Sequence, residues 1–186
     1  MRTKFLAVAA VGALLPVLAS ARHLDVADPN DSAGVLDLRR VSIYGSPPIW
    51  NLKTYRGWRA RTIWDTGFLL VYFDTFASDR YDYYALVRSD GRRLKAALFR
   101  DRATRRDRRV TWLKTWRPDR RRVKLRVPLR KMTIGKRRLF YRWYAQTLFT
   151  GTNCRRTCID LAPDRTGVKE PLKPAPSPSP AIPDQS

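Results

Sequence analysis

The stretch Arg120-Arg121-Arg122-Val123-Lys124-Leu125-Arg126-Val127 alternates charged and apolar side chains from Arg122 onward. In an extended strand successive side chains point to opposite faces, so Val123, Leu125 and Val127 belong to a core while Arg122, Lys124 and Arg126 share the solvent face. A helix of period 3.6 would scatter the same residues around its axis. The stretch predicts a half-buried strand. Its outward cations stand about 7 Å apart, inside a Debye length of about 8 Å, and repel one another unless an anion intervenes. They are therefore candidate polyanion contacts, together with Arg120; the alternative is a charged row that protects an exposed sheet edge from aggregation.

Working outward, the same short periodicity recurs on both sides. Pro118-Asp119 separates this strand from the run Val110 to Trp116, with proline pre-setting φ for a type I turn. Asp90-Gly91 lies between the runs Tyr83–Val87 and Leu94–Phe99, where glycine accepts the positive φ of a tight hairpin. Further runs cover Leu36–Ile43, Ile49–Tyr55, Ala60–Trp64, Phe68–Phe73 and Leu139–Phe149, and Gly45-Ser46-Pro47-Pro48 breaks the first two apart. No amphipathic helix lies between them. The expected fold is all-β, an antiparallel β-sandwich of about eight or nine strands over residues 34–165.

The two ends read differently. Arg2 and Lys4, the apolar run Phe5–Leu18 and then Ala19-Ser20-Ala21 have the order of an export signal, so residues 1–21 are expected to be a leader and the mature chain to be secreted. The apolar run is too short to span a bilayer. Residues 22–33 are expected to form a flexible acidic lead. Residues 166–186 hold six prolines among Ser and Ala and are expected to be a disordered tail.

The formal net charge is +22, with 38 Lys and Arg against 16 Asp and Glu. Residues 92–142 carry 22 of the basic residues and only 3 of the acidic ones, so nearly all the excess sits in one central block. Arginine predominates, and its planar fork grips phosphate, sulfate or carboxylate in bidentate fashion. The charge implies an anionic envelope polymer or glycan as partner. Nucleic acid fits the charge but not an exported protein, and a monomer is expected.

Cys154 and Cys158 are the two cysteines. In a straight strand their Cα atoms would stand about 13 Å apart, so a disulfide requires Arg155-Arg156-Thr157 to turn tightly. Asp74, Asp79 and Asp82 follow the strongest strand and could offer hard oxygen ligands to calcium, as could Asp25, Asp28 and Asp31 near the mature start. Neither group has the D-x-D-x-D-G spacing. Trp112 and Trp116 share one face of a predicted strand and could stack sugar rings, whereas most of the six tryptophans should fill the core. The single histidine, His23, lies beside the predicted cleavage site. With no G-x-S-x-G elbow, H-E-x-x-H or phosphate-cradling glycine loop, a non-catalytic role is expected, an aspartate-dependent hydrolase being the enzymatic alternative.

Several segments resemble a group of uncharacterised exported proteins from high-GC bacteria. They are Asp28-Pro29-Asn30-Asp31 leading to Gly34–Arg39, Val71–Thr75, Tyr141–Ala145, and Cys154–Asp160 with Ala162-Pro163-Asp164. The strand layout is also similar to family-nine carbohydrate-binding-module and DOMON-like sandwiches. This resemblance implies a β-sandwich and lends no activity.

Overall fold

The computed structural model of the chain describes residues 23–78, 80–134, 140–164 and 167–171. Its strands follow in order as β1 (His23–Ala27), β2 (Leu38–Tyr44), β3 (Ile49–Thr54), β4 (Gly67–Asp74), β5 (Tyr83–Ser89), β6 (Leu94–Arg100), β7 (Arg108–Asp119), β8 (Arg122–Arg126), β9 (Phe140–Phe149), β10 (Cys158–Ala162) and β11 (Val168–Pro171). Every ladder is antiparallel, so the all-β class inferred from period two is the class that forms. Eleven strands replace eight or nine because β1, β10 and β11 have too few residues to stand out as apolar runs.

The two layers expected of a sandwich are the two halves of one sheet, ordered β1-β2-β3-β8-β7-β6-β5-β4-β9-β10, with β11 also on β9. The long strand β7 makes the fold-over. Its first part pairs with β6 and its second with β8, so one strand serves both halves. The halves meet in a single apolar core in which Trp50 of β3 lies edge-on to Phe73 of β4, ring centroids 5.3 Å apart. Trp50, Phe73, Tyr83, Tyr141 and Trp143 are its largest buried side chains. Rings of this size bury about 150–250 Å² each, roughly 4–6 kcal/mol of gross transfer free energy apiece at 25 cal/mol per Å². On the far side the sheet nearly closes, the N–H of Leu38 on β2 donating to Asp160 Oδ2 on β10.

Four expectations need correction. The lead 22–33 is not simply flexible: His23–Ala27 pairs residue for residue with Arg40–Tyr44, and Asp28 is buried. The run Ala60–Trp64 is not a strand, since Ala60–Ile63 forms a 3-10 turn. There Thr62 bonds back to Arg59 and Ile63 enters the core, sealing its end. Pro118 does not open the β7–β8 turn but sits in a register break of β7, where a missing N–H is tolerated; the turn is Arg120-Arg121, held by Asp119 Oδ1 accepting the Arg121 N–H at 2.8 Å. Of the expected tail, Val168–Pro171 adds to β9 as β11. The proposed leader, residues 1–21, and residues 172–186 lie outside the described residues. No described helix is long and apolar enough to cross a membrane.

The Asp90-Gly91 hairpin forms as read. Gly91 has φ +90°, and Asp90 Oδ1 accepts the N–H groups of Arg92 and Arg93.

Candidate anion-binding face

Strand β8 alternates as its sequence dictates. Val123, Leu125 and Val127 have no exposed surface, while Arg122 and Lys124 are half-buried and Arg126 is exposed on the other side. The strand is not an edge, because β3 and β7 flank it. The reading of its charges as edge protection therefore fails: they lie on the face of a half-sheet with paired neighbours on both sides.

Register determines what that face displays. Lys53 of β3 stands opposite Arg122, and Arg40 of β2 stands beyond Lys53 in the same row. At the other end of β8, Arg126 faces Lys114 of β7, and between these rows Lys124 faces Trp116. Six cations thus occupy one face, and the acids beside them are few. Asp25 pairs with Arg40 at 3.0 Å, and Asp119 pairs with Arg122. Although partial desolvation acts to raise it, the Arg121 N–H and the Arg122 guanidinium hold the Asp119 carboxyl below its ordinary range. Lys124 lies over the Tyr44 ring at 5.3 Å. Lys53, Lys114 and Arg126 form no ion pair among the described residues.

Two open clefts flank this band. One, of about 460 Å³, is lined by Lys53, Asp119, Arg120, Arg121 and Arg122. The other, of about 490 Å³, opens where β6 and β7 part, and Lys114, Lys95, Arg88, Arg93 and Trp112 are among its walls. Asp90 takes up part of the charge there, 3.6 Å from Arg93 and 3.2 Å from Lys95. The N–H groups of Arg93 and Arg92, with Lys95, hold its carboxyl well below the usual range.

Trp112 and Trp116, proposed as a sugar platform, point to the same side as Lys114 and belong to this band. Trp112 is 55% exposed, with Arg109 over its ring at 4.3 Å; Trp116 is half-buried. Of the six tryptophans, expected mostly in the core, Trp50, Trp58 and Trp143 fill it, whereas Trp64 is exposed like Trp112. The remaining basic candidate, Arg120, is exposed at the turn, and its carbonyl accepts from Arg117, whose guanidinium stacks on Trp58 at 3.8 Å. Sequence reasoning missed Arg40, Lys53, Lys95 and Lys114. Their alternation could have placed them outward, but only the strand order brings them to Arg122 and Arg126.

Cys154 and Cys158 form the expected disulfide, their Cα atoms 5.6 Å apart across the turn. The expected calcium group fares differently. Asp74 is buried and paired with Arg142, Nε to Oδ2 at 2.7 Å, and its Oδ1 accepts the N–H groups of Phe76 and Ser78. Asp82 accepts the Thr75 N–H and hydroxyl. Asp74 and Asp82 are thus engaged by protein donors, as turn and strand-end anchors. Asp79 lies outside the described residues.

On the other half-sheet Tyr72 stacks on Tyr144 at 4.7 Å, and Tyr84 on Phe99 at 5.2 Å. Burial raises the phenols of Tyr72, Tyr84 and Tyr144 above their ordinary range. These rings cover one another, whereas Trp112 is covered only by Arg109 among the ring contacts of the described residues.

Compared with known proteins, the chain matches no family model, no curated protein and no solved structure.

Proposed function

We propose that this protein is an exported, non-catalytic binding domain whose basic half-sheet holds an anionic polymer of the cell envelope. The observation that carries the reading is the placement of like charges directly across a ladder: Lys53 opposite Arg122, Arg40 beyond Lys53, and Arg126 opposite Lys114. Cross-strand partners have Cβ atoms about 4.5–5.5 Å apart, and like charges there destabilise the sheet. An anionic group lying between them turns that repulsion into attraction, and the guanidinium forks of Arg122 and Arg126 suit its oxygens. The flanking clefts extend the band at both ends, so the ligand is a chain rather than a single small anion. Binding of this kind releases counterions and weakens steeply with salt. Retention on immobilised heparin or polyphosphate at low salt, lost on raising salt, tests it.

A second reading, a module that stacks neutral sugars, is favoured by the exposure of Trp112 alone. It matches the likeness in strand layout to carbohydrate-binding sandwiches. Quenching of tryptophan fluorescence by neutral glycans that persists in high salt would select it over the first.

A further inference from the structure

One group of charges belongs to neither face. The connection from β1 to β2, the strand β10 and the residues just after it bring five aspartates together. The carboxylate oxygens of Asp28, Asp160 and Asp164 approach within 4.8 Å of one another, and so do those of Asp31, Asp37 and Asp160. Asp28, Asp37 and Asp160 are 4%, 0% and 4% exposed.

This cluster lacks the partners that buried acids ordinarily have. Both carboxylate oxygens of Asp28 are buried with no hydrogen-bond partner. Those of Asp37 also lack one in bonding geometry, although the amides of Ser32 and Asp31 face them and Arg56 lies beyond. Among the described residues Asp160 accepts only backbone N–H groups, from Leu38 and Leu161. None of the five takes part in an ion pair among the described residues. Burying an unpaired carboxylate costs several kcal/mol, and each neighbour of like charge adds to that. Burial, then the charges of Asp160, Asp164, Asp31 and Asp37, push the Asp28 carboxyl up to about 8. Burial likewise pushes Asp160 to about 7, with Asp37 and Asp31 adding to the rise.

Oxygens on one calcium ion, each at about 2.4 Å, can stand at most about 4.8 Å apart, and both triads fall within that limit. We propose that this pocket is a calcium site, with Asp160 shared between Asp28 and Asp164 on one side and Asp31 and Asp37 on the other. The donor set is all oxygen, without His or Cys, which selects a hard cation. Magnesium keeps most of its waters and uses one or two carboxylates, whereas calcium takes six to eight oxygens in adaptable geometry. The site lies on the seam where β2 and β10 approach without a ladder. A metal there ties the β1–β2 connection to β10, and the disulfide grips the same connection nearby: a Cβ on Gly34 would stand 3.2 Å from Cys158 Cβ and 3.4 Å from Cys154 Sγ.

The test is calorimetric titration with calcium chloride of the chelator-treated chain, in parallel with thermal unfolding in chelator, calcium and magnesium. The expected result is saturable calcium binding with a rise in Tm that magnesium does not reproduce. Asp164→Asn, at an exposed position, should bind calcium at least tenfold more weakly yet match the parent in chelator. Asp28→Asn replaces a buried carboxyl whose ionisation the fold opposes, so it should unfold at a higher temperature than the parent in chelator and lose the calcium response. Absence of heat and of any Tm shift up to millimolar calcium would overturn the proposal. A calcium response unchanged in both variants would do the same.

Discussion

Lys53 on β3 and Arg122 on β8 stand directly opposite one another on the solvent face of the sheet, two cations where a stable ladder would pair opposite charges. Asp119 relieves one partner of this pair, and Lys53 has no ion-pair partner among the described residues. Lys53→Glu should therefore raise stability by about 0.5–1 kcal/mol, the ordinary size of a cross-strand charge term, while weakening retention on a polyanion. Denaturant unfolding of both proteins at low salt, beside their elution positions from heparin, measures the two effects together. Greater stability with weaker binding is the signature of a charge kept for a ligand.

Trp112→Ala should leave the unfolding midpoint within about 0.5 kcal/mol of the parent, because the ring is more than half exposed. Its effect on polyanion binding should be smaller than that of removing Lys114, which lies two residues along the same face. A larger effect for Trp112 would favour the stacked-sugar reading.

Arg142→Met strands the Asp74 carboxylate, which is 1% exposed and also accepts the backbone N–H groups of Phe76 and Ser78. Removing one partner of a buried pair costs about 3–5 kcal/mol, and that loss is expected here. Calcium should not restore it, since the loop positions Asp74 for an arginine. Chemical denaturation with and without calcium distinguishes this acid from the five clustered aspartates that include Asp160.

The Cys154–Cys158 bridge closes a short loop, so reducing it or replacing both residues by Ser should cost about 2 kcal/mol and leave the fold intact. Gly67→Ala should cost a comparable amount by another route. Its Cβ would stand 2.8 Å from Ile63 Cβ, forcing the 3-10 turn off the core. Unfolding midpoints of both variants, with circular dichroism confirming β structure, check the pair.

Much of this architecture was legible because burial imposes period two wherever one side of a strand faces a core. Val123, Leu125 and Val127 declare their strand unaided, and Asp90-Gly91 declares its hairpin through the φ that only glycine adopts cheaply. The short strands were not legible, since the alternate burial of His23–Ala27 involves only partly buried residues and gives no apolar run. Ala60–Trp64 misled because its composition suits a strand while the bond between Thr62 and Arg59 closes a turn. The basic face was half legible. Arg122, Lys124 and Arg126 announce themselves by alternation, but Lys53 and Lys114 join them only through pairings across 69 and 12 residues of chain. The aspartate pocket was half legible as well: Asp28 and Asp31 suggest oxygen ligands in the sequence, but Asp37, Asp160 and Asp164 join them only in the fold, and Asp25 pairs with Arg40 instead.

The most direct measurement of the central claim is the salt dependence of polyanion affinity in the parent and in the triple variant Lys53→Gln/Lys114→Gln/Arg126→Gln. Each phosphate that a cation neutralises on a nucleic-acid polyanion contributes about 0.7–0.9 to the slope of log K against log salt, and the same order is expected here. If the face holds the polymer, the variant's slope should be shallower by roughly two to three and its low-salt affinity weaker by at least tenfold, at unchanged or improved stability. Equal slopes in the two proteins would contradict the claim, because the polyanion would then be held by the other cations of the chain.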